Sequence, residues 1–216
     1  MGVEFWDVIR PAGNFHPVSI INPGFLEKVM PVWNEVYTEK TIDNATPCHV
    51  LVTNKHLLPL NGRVLDYACG LAGNGIYLAK QSYDVIAWDL SEVAVEKVNK
   101  YAEKNKISLN AEVHDLENNL PDIKDQFDIV VVSYFLHRET LRYLYDVLKK
   151  GGILFYQTFS GKQFKGQGPS NDGYRLQRNE LLDVFSDMQL MFYREDDVCL
   201  SEDDSKQGQT FFVAKK

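Results

Sequence analysis

The stretch Val64-Leu-Asp-Tyr-Ala-Cys-Gly-Leu-Ala-Gly-Asn-Gly75 decides the fold. An apolar run ends in Asp66, small residues follow at once, and Ile76 begins a helical pattern. This order predicts a strand, a tight turn and a helix, which together form the nucleotide-binding corner of an open α/β sheet. Small residues in the turn would let backbone N–H groups and the helix N-terminus approach a polar ligand.

Beyond this corner, apolar strands alternate regularly with helical patterns. The predicted strands are Arg63–Tyr67, Asp84–Trp88, Asn110–His114, Phe127–Ser133, Ile153–Phe159, Met188–Tyr193 and Thr210–Ala214. The predicted helices are His49–Leu58, Gly73–Gln81, Glu92–Lys104 with Ser91 as its N-cap, Thr140–Lys149 ending in a turn at Gly151-Gly152, and Asn179–Phe185. Near-continuous apolar strands indicate a parallel sheet covered on both faces, and the last two strands should be antiparallel because only a solvated loop joins them. The sequence therefore predicts an α/β fold: a Rossmann-like, seven-stranded, mostly parallel sheet with a C-terminal antiparallel hairpin and helices on both faces.

Length and composition limit the domain organisation. The chain has 216 residues, of which 44% are hydrophobic, and this suits one globular domain with a short extension. We expect residues 1–44 to form an N-terminal arm or cap over the active site and residues 45–216 to form the ligand-binding domain. The region 160–173 is rich in Gly, Gln and Ser and follows a strand end, which predicts a mobile substrate loop.

Charge and cysteine usage argue against several classes of protein. The net charge is −7 and no Lys/Arg cluster reaches the density of a nucleic-acid footprint, so DNA or structured RNA is not expected as the main partner. No apolar run is long enough to predict a membrane span. Cys48, Cys69 and Cys199 show neither CxxC spacing nor a metal-like pairing with histidine, which favours a reducing, cytoplasmic setting and no metal site. We expect a monomer or a homodimer.

Three successive strand ends carry a carboxylate: Asp66, Asp89 and Asp115. Asp89 lies 19 residues after Gly70, a distance at which an acid can accept both ribose hydroxyls of a nucleotide. Asp115, with the backbone of Leu116, can meet an exocyclic amino group of adenine, and Asp66 can face an ammonium group directly or through water. An anion before the turn favours a ligand with an ammonium or sulfonium charge over a pyrophosphate, which predicts S-adenosylmethionine as the cofactor.

The span from about Trp33 to the C-terminus resembles the class I S-adenosylmethionine-dependent methyltransferases, most of all their small bacterial tellurite-resistance-type branch. The segments that carry the resemblance are Val64–Gly75, Trp88-Asp-Leu-Ser91, His114-Asp-Leu116, Phe127–Arg138, Leu148-Lys-Lys-Gly-Gly-Ile-Leu154, Tyr156-Gln-Thr-Phe159, Gly168-Pro169, Glu180-Leu-Leu-x-x-Phe185 and Trp33-Asn-Glu-x-Tyr37. The sequence departs from the family at Ala68 and Ala72, where glycine is usual. Alanine adds a methyl group and disfavours positive φ. Gly70 and Gly73 remain, so we expect the turn to be kept with a tighter fit around the ligand.

The resemblance implies a cofactor pocket in which further residues join the three carboxylates. These are Ala68, Cys69, Gly70 and Asn74 in the turn, Leu90 and Leu116 beside strand ends, Ser133 at the end of the fourth strand, and Tyr37. Tyr37 and Trp33 are expected to close over the cofactor, with packing of an N-terminal helix as the alternative. Cys69 is expected to fill the turn and not to act as a nucleophile.

Methyl transfer asks little of the protein beyond alignment, which can contribute up to ~7–11 kcal/mol. A thiolate or oxyanion acceptor needs no base, so no catalytic triad is expected. His137 is the candidate general base or substrate contact, because histidine is suited to proton transfer near neutral pH. The alternative makes His137 a helix-start residue at the domain rim. Arg138 is expected to pair with Glu139 or another surface acid, and His49 is expected to be structural or exposed.

The sequence thus predicts an S-adenosylmethionine-dependent methyltransferase that acts on a small molecule, such as a thiol, an oxyanion or another metabolite. The arm and the 160–173 loop should choose the acceptor, which the sequence does not identify. Two rival functions remain: a non-catalytic S-adenosylmethionine sensor, and a nicotinamide-dependent oxidoreductase. The oxidoreductase would explain neither Asp66 nor Asp115, and Ala68 and Ala72 break its glycine motif.

Overall fold

The fold is built on one seven-stranded sheet in the computed structural model, which describes residues 33–163, 166–196 and 208–216. The strands are β1 Arg63–Tyr67, β2 Asp84–Asp89, β3 Leu109–Val113, β4 Phe127–Ser133, β5 Leu148–Phe159, β6 Gln189–Asp196 and β7 Gln209–Lys215. Their order is β3-β2-β1-β4-β5-β7-β6. Strands β1 to β5 are parallel, whereas β7 is antiparallel to both of its neighbours. The predicted fold class is confirmed.

Helices cover both faces of this sheet. In the described part of the chain they are α1 (33–38), α2 His49–Thr53, α3 Gly73–Ala79, α4 Glu92–Asn105, α5 Leu141–Val147 and α6 Glu180–Val184. The predicted N-cap of α4 is confirmed, because Ser91 Oγ accepts a hydrogen bond from the Ala94 N–H at 3.2 Å. The same helix ends at Lys106, which adopts left-handed backbone angles.

Alternation of side chains along β1 divides the core into two clusters. Val64 packs on the face that is covered by α2, α3 and α4, whereas Leu65 and Tyr67 pack on the face that is covered by α5 and α6. All three side chains are fully buried. Successive side chains of a strand point to opposite faces, so Asp66 projects to the same side as Val64, beneath α3.

The start of β5 differs from the prediction. β5 begins at Leu148, so the turn predicted at Gly151-Gly152 is wrong, and α5 already ends at Val147. Both glycines lie inside the strand, where the C-terminal residue pairs with them. The Gly151 N–H donates to the Lys216 carbonyl at 2.7 Å, and the Lys216 N–H donates to the Gly152 carbonyl at 2.9 Å.

Two regions expected to form the acceptor site are described in part. Most of the predicted arm 1–44 lies outside the described residues, which include α1 and a 3₁₀ turn at Ile42–Asn44. The loop after β5 is organised around Arg175, whose side chain is almost fully buried. Its guanidinium donates to six backbone carbonyls, those of Ser160, Gly161, Lys162, Gln167, Pro169 and Gly208.

Candidate active site

A cavity of about 1090 Å³ opens at the carboxyl ends of β1 to β5. This volume is slightly above the ~300–1,000 Å³ that is usual for small-molecule sites. The predicted cofactor residues that line it are Tyr37, Ala68, Cys69, Gly70, Asn74, Asp89, Leu90, Asp115, Leu116 and Ser133. Asp66 and His137 do not line it. The structure therefore brings most of the predicted residues together around one space.

The turn between β1 and α3 keeps its shape despite the two alanines. Ala68, Gly70 and Ala72 all adopt left-handed backbone angles, with φ of 54°, 54° and 52°. Such angles cost an alanine ~1–2 kcal/mol. Hydrogen bonds of Cys69 secure the turn, because its N–H donates to the Trp88 carbonyl and its carbonyl accepts from the Ala72 N–H, both at 2.8 Å. The expectation that the turn is kept is confirmed, and the tighter fit stays a prediction.

Tyr37 covers this turn. A Cβ atom on Gly70 would lie 2.6 Å from the Tyr37 hydroxyl oxygen, so only glycine fits at position 70 while the tyrosine is in place. Burial, followed by the nearby Asp89 and Cys69, raises the pKa of Tyr37 well above its usual value. The Trp33 ring stacks on the Tyr37 ring with 6.0 Å between centroids. The expected closure of Tyr37 over the cofactor stays a prediction, which this position supports.

Lys97 of α4 holds the end of α1, a contact that the sequence analysis missed. Its half-buried side chain places Nζ 2.5, 2.9 and 2.8 Å from three backbone carbonyl oxygens, those of Tyr37, Thr38 and Lys40. A cation at the C-terminus of a helix binds the carbonyls that lack an intrahelical partner. On α1 itself, Asn34 Oδ1 accepts from the Ser91 hydroxyl at 2.7 Å. These contacts fix α1 on the body of the domain.

Asp66 lies behind the cavity wall and is fully buried. Its Oδ1 accepts from Asn74 Nδ2 at 3.1 Å and its Oδ2 accepts from the Gly75 N–H at 2.8 Å. Burial raises the pKa of Asp66 to about 7. Asn74, which does line the cavity, also donates to Ser133 Oγ at 3.1 Å and accepts from the Cys48 N–H at 2.8 Å. Asp66 therefore orients Asn74. Its position does not support a direct contact with an ammonium group, and the alternative of a contact through water stays a prediction.

Asp89 sits between the turn and the start of α4. Its Oδ2 accepts from the Gly70 N–H at 2.7 Å and its Oδ1 accepts from the Ser91 N–H at 2.9 Å. Burial raises the pKa of Asp89, and the backbone N–H groups act in the opposite direction. Each carboxylate oxygen has a further lone-pair site, so Asp89 can still accept hydrogen bonds from hydroxyl groups in the cavity.

Asp115 and Leu116 form the corner after β3. The carboxylate of Asp115 accepts from the backbone N–H groups of Glu117 and Asn118, both at 3.1 Å, which fixes the loop that follows. The Leu116 carbonyl accepts from the buried hydroxyl of Tyr67 at 3.3 Å, and its side chain is nearly fully buried. Both residues line the end of the cavity that the sequence predicts for adenine.

The two described cysteines line the cavity as neutral thiols. Burial raises the pKa of Cys48 to about 12 and that of Cys69 well above its usual value. Neither sulfur is therefore an activated nucleophile, as expected for Cys69. Cys48, whose N–H donates to Asn74 Oδ1, packs in the core. Cys199 lies outside the described residues.

His137 is not brought to the other predicted residues. Its Nδ1 lies 3.1 Å from Thr140 Oγ1 and its Nε2 lies 3.2 Å from Glu139 Oε2. It precedes a 3₁₀ turn at the rim of the domain, which is the alternative that the sequence left open. The catalytic role predicted for His137 is not supported by this position. Arg138 does form an ion pair, but its partner is Glu180 on α6, at 2.7 and 3.0 Å.

Beyond the cofactor residues, the cavity continues over the ends of β4 and β5. Its lining there includes Tyr134 and Phe135, which directly follow Ser133, and further residues that were not predicted, namely His49, Gln157, Thr158, Phe159, Tyr174 and Gln209. For Gln157 the sequence did contain a signal of a site residue, because it is a polar residue within an apolar strand. His49, expected to be structural or exposed, gave no signal in the sequence; it packs edge-on against Phe211 and lines the cavity.

Within residues 33–163, 166–196 and 208–216, no group of three or more His, Cys, Asp or Glu side chains is arranged to hold a metal ion. A search of the same residues finds no helix with the length and apolar character that spanning a membrane requires.

Comparison with known proteins agrees with this geometry. A family model described as a methyltransferase domain matches residues 64–152. The chain is similar to a probable S-adenosyl-L-methionine-dependent methyltransferase TehB of Haemophilus influenzae, with 27% identity over 160 residues, which are 70% of this chain and 54% of that protein. It is also similar to ribosomal protein L11 methyltransferase of Bacillus velezensis, with 30% identity over 64% of this chain and 49% of that protein.

The crystal structure of TehB from Haemophilus influenzae has a similar fold, with a TM-score of 0.63 and 21% identity over 85% of this chain and 67% of that chain. The chain spans about half the length of the curated relatives that it matches.

The matched domain contains every strand end that supplies the cofactor residues. The fold and the matched domain make this chain similar to the class I S-adenosylmethionine-dependent methyltransferases. The similarity to TehB agrees with the resemblance to the tellurite-resistance-type branch that the sequence indicated.

Proposed function

We propose that this protein transfers the methyl group of S-adenosylmethionine to a small-molecule acceptor. The observation that carries the proposal is the single cavity that joins Asp89 and the Gly70 turn to the ends of β4 and β5. A cofactor over β1 to β3 and an acceptor over β4 and β5 would share one space. The match to a methyltransferase domain supports cofactor binding over β1 to β3. The residues that line the cavity over β4 and β5 support binding of an acceptor there.

The residues present fit the cofactor. Asp89 is an acceptor-only group that would bind the ribose hydroxyls, and Asp115 with Leu116 would meet the adenine. Gly70 supplies a cradle that a side chain would fill. Asn74, which Asp66 holds, and Ser133, to which Asn74 donates, would contact the amino-acid tail.

Bound S-adenosylmethionine supplies a methyl carbon that its sulfonium already activates. The protein then has to orient an acceptor in line with that carbon and exclude water, which can supply ~7–11 kcal/mol. Tyr37 and Trp33 would cover the cofactor, and Tyr134 and Phe159 would flank the acceptor. No ionised thiol is available at Cys48 or Cys69 to intercept the methyl group.

A small molecule is favoured over a macromolecule because the acceptor end lies within the cavity and the chain carries a net charge of −7. The name of one relative, ribosomal protein L11 methyltransferase, gives that protein a macromolecular substrate. A thiol, an oxyanion or another metabolite stays within the proposal. The methyltransferase match does not favour the rival sensor and oxidoreductase functions. A cytoplasmic location and a monomeric or homodimeric state stay predictions.

A pair of aspartates at opposite ends of β2 tests the cofactor site. Asp89→Asn removes one acceptor oxygen beneath Gly70 and should weaken S-adenosylhomocysteine binding by about 2 kcal/mol, roughly thirtyfold. Asp84→Asn is the matched control, because Asp84 begins the same strand with an exposed side chain. Isothermal titration calorimetry measures both variants, and equal affinities would mean that the ribose is misplaced.

A second experiment tests the reaction. Thermal shifts with S-adenosylmethionine, S-adenosylhomocysteine and NADH identify the ligand, and stabilisation by NADH alone would eliminate the proposal. Release of S-adenosylhomocysteine is then measured across thiols, selenite, tellurite and common metabolites. Binding without turnover of any acceptor would favour the sensor.

A further inference from the structure

Tyr134, which follows the last residue of β4, has a conformation that packing does not explain. Its φ of 56° is in the left-handed region, which is costly for a bulky residue, and its ring is 43% exposed. The Tyr134 N–H donates to the Gln157 carbonyl at 2.8 Å, which holds this backbone in place. The side chain is thereby turned into the cavity and away from the core.

The hydrogen bonds around Gln157 fix which way the Tyr134 hydroxyl can donate. The Val50 N–H can only donate, and it lies 3.0 Å from Gln157 Oε1. The other end of the buried amide must therefore be its NH₂ group, which donates to the Tyr134 hydroxyl oxygen and to Gln209 Oε1, both at 2.9 Å. The Tyr134 oxygen is an acceptor in this network, and its own hydrogen has no acceptor among the described residues.

The Tyr134 hydroxyl is thus a donor that faces the acceptor end of the cavity. Burial, followed by the nearby Cys48, raises the pKa of Tyr134, so the group is a neutral phenol at physiological pH and does not act as a base. A neutral phenol can give a hydrogen bond to a lone pair on an acceptor and so fix its orientation.

The surroundings of Tyr134 are aromatic. Its ring lies 5.2 Å from the Phe159 ring, measured between centroids, with 39° between the planes. Phe135 and Tyr174 also line the cavity. Aromatic side chains bind planar groups through offset stacking and edge-to-face contacts.

We propose that Tyr134 is an acceptor-binding residue, and that the acceptor is a planar aromatic or heteroaromatic molecule. Its ring would lie against Tyr134 and Phe159, and a lone-pair atom beside the nucleophile would accept the hydrogen bond from the Tyr134 hydroxyl. This assignment rests on the proposed methyltransferase function and narrows its acceptor class.

Three thiols test the assignment, with each kcat/KM divided by the ionised fraction of that thiol, because the thiolate is the nucleophile and needs no dedicated base. Thiophenol is planar, cyclohexanethiol has a similar size without planarity, and methyl thiosalicylate adds a carbonyl beside the thiol. Release of S-adenosylhomocysteine gives kcat/KM for each thiol with the wild type, with Tyr134→Phe and with Tyr101→Phe. Tyr101 on α4 is the matched control, since its hydroxyl lies at the exposed surface, where it accepts a hydrogen bond from Lys80.

The wild type should prefer thiophenol to cyclohexanethiol by tenfold or more and should use methyl thiosalicylate better still. Tyr134→Phe should remove about tenfold of the advantage of methyl thiosalicylate over thiophenol, and Tyr101→Phe should remove none. Titration with S-adenosylhomocysteine and thermal melting of each variant check that the fold and the cofactor site are intact.

Several outcomes overturn the assignment while the proposed function survives. These are equal use of thiophenol and cyclohexanethiol, an unchanged ratio in Tyr134→Phe, or failure of all three thiols in a protein that binds S-adenosylhomocysteine and methylates a non-planar acceptor. Failure of the wild type to bind S-adenosylmethionine or S-adenosylhomocysteine would instead refute the proposed function itself.

Discussion

The contact between Lys97 and the end of α1 is expected to contribute to cofactor affinity. Lys97→Met keeps the length of the side chain and removes the ammonium group that binds the three carbonyls. Because α1 carries Trp33 and Tyr37 to the cavity, its looser attachment should expose the cofactor site. The body of the domain should stay folded, since none of its sheet contacts depends on this lysine.

The size of the effect follows from the three hydrogen bonds. Hydrogen bonds to a charged group are worth ~1.5–3 kcal/mol when they are buried. Only one of these three is part-buried and two are exposed to solvent, so the total for the docking of α1 is about 2 kcal/mol. This corresponds to roughly thirtyfold in the docking equilibrium. It is also the largest loss of cofactor affinity to expect, because apparent affinity scales with the population of the competent state.

Calorimetric titration with S-adenosylhomocysteine measures this loss. Lys100→Met is the matched control, because Lys100 lies one turn further along α4 and pairs only with the exposed Glu96. Lys97→Arg should restore most of the affinity, since a guanidinium can also donate to several carbonyls. If Lys97→Met bound S-adenosylhomocysteine as tightly as Lys100→Met does, the idea that α1 covers the cofactor would be refuted.

Three further predictions concern stability. Burial raises the pKa of Asp66 from 3.8 to about 7, so between pH 4 and pH 7 the folded state binds a proton that the unfolded state has lost. The free energy of unfolding of the wild type, measured in urea relative to Asp66→Asn, should therefore fall by up to about 4 kcal/mol as the pH rises over that range. Parallel pH curves for the two proteins would contradict this. Ala68→Gly should change stability by less than about 1 kcal/mol, because glycine removes the cost of left-handed backbone angles at this position. Ala79→Gly in α3 is the comparison and should destabilise by about 1 kcal/mol. Equal losses of stability in thermal melts of the two variants would argue against strain at Ala68. Arg175→Lys should destabilise by about 2–3 kcal/mol, because an ammonium cannot serve six carbonyls placed around a planar fork, and wild-type stability in urea would show that this network is dispensable.

The sheet could be predicted closely from the sequence because its strands are continuous apolar runs. The bounds of β1 and β4 match the prediction to the residue. The pair Gly151-Gly152 led to the wrong prediction of a turn, because two consecutive glycines are a turn signal. Their hydrogen bonds with the backbone of Lys216, more than 60 residues away in the chain, place them in β5 instead. No local pattern reports such a long-range pairing.

The sequence predicted cavity-lining residues well where they lie at or just beyond a strand end. The prediction failed where the direction of the side chain decides whether the residue reaches the cavity. Asp89 ends β2 and Asp115 lies two residues beyond the end of β3, and both reach the cavity, whereas Asp66 stands one residue before the end of β1. Strand alternation turns Asp66 beneath α3, where the Gly75 N–H and Asn74 bind it. The position of His137 depends on the path of the chain after the left-handed Tyr134, which the sequence does not display.

The strand order explains why the cofactor half of the site matches the family better than the acceptor half. β3, β2 and β1 lie on one side of the point where the order reverses, and β4 and β5 lie on the other. The matched domain ends at residue 152, before Gln157, Phe159 and Tyr174. Most residues that would select an acceptor therefore lie outside the matched methyltransferase domain. Similarity to the family supports cofactor binding, whereas the acceptor has to be inferred from these side chains. Among them, Tyr134 follows β4 at the boundary between the cofactor half and the acceptor half of the site.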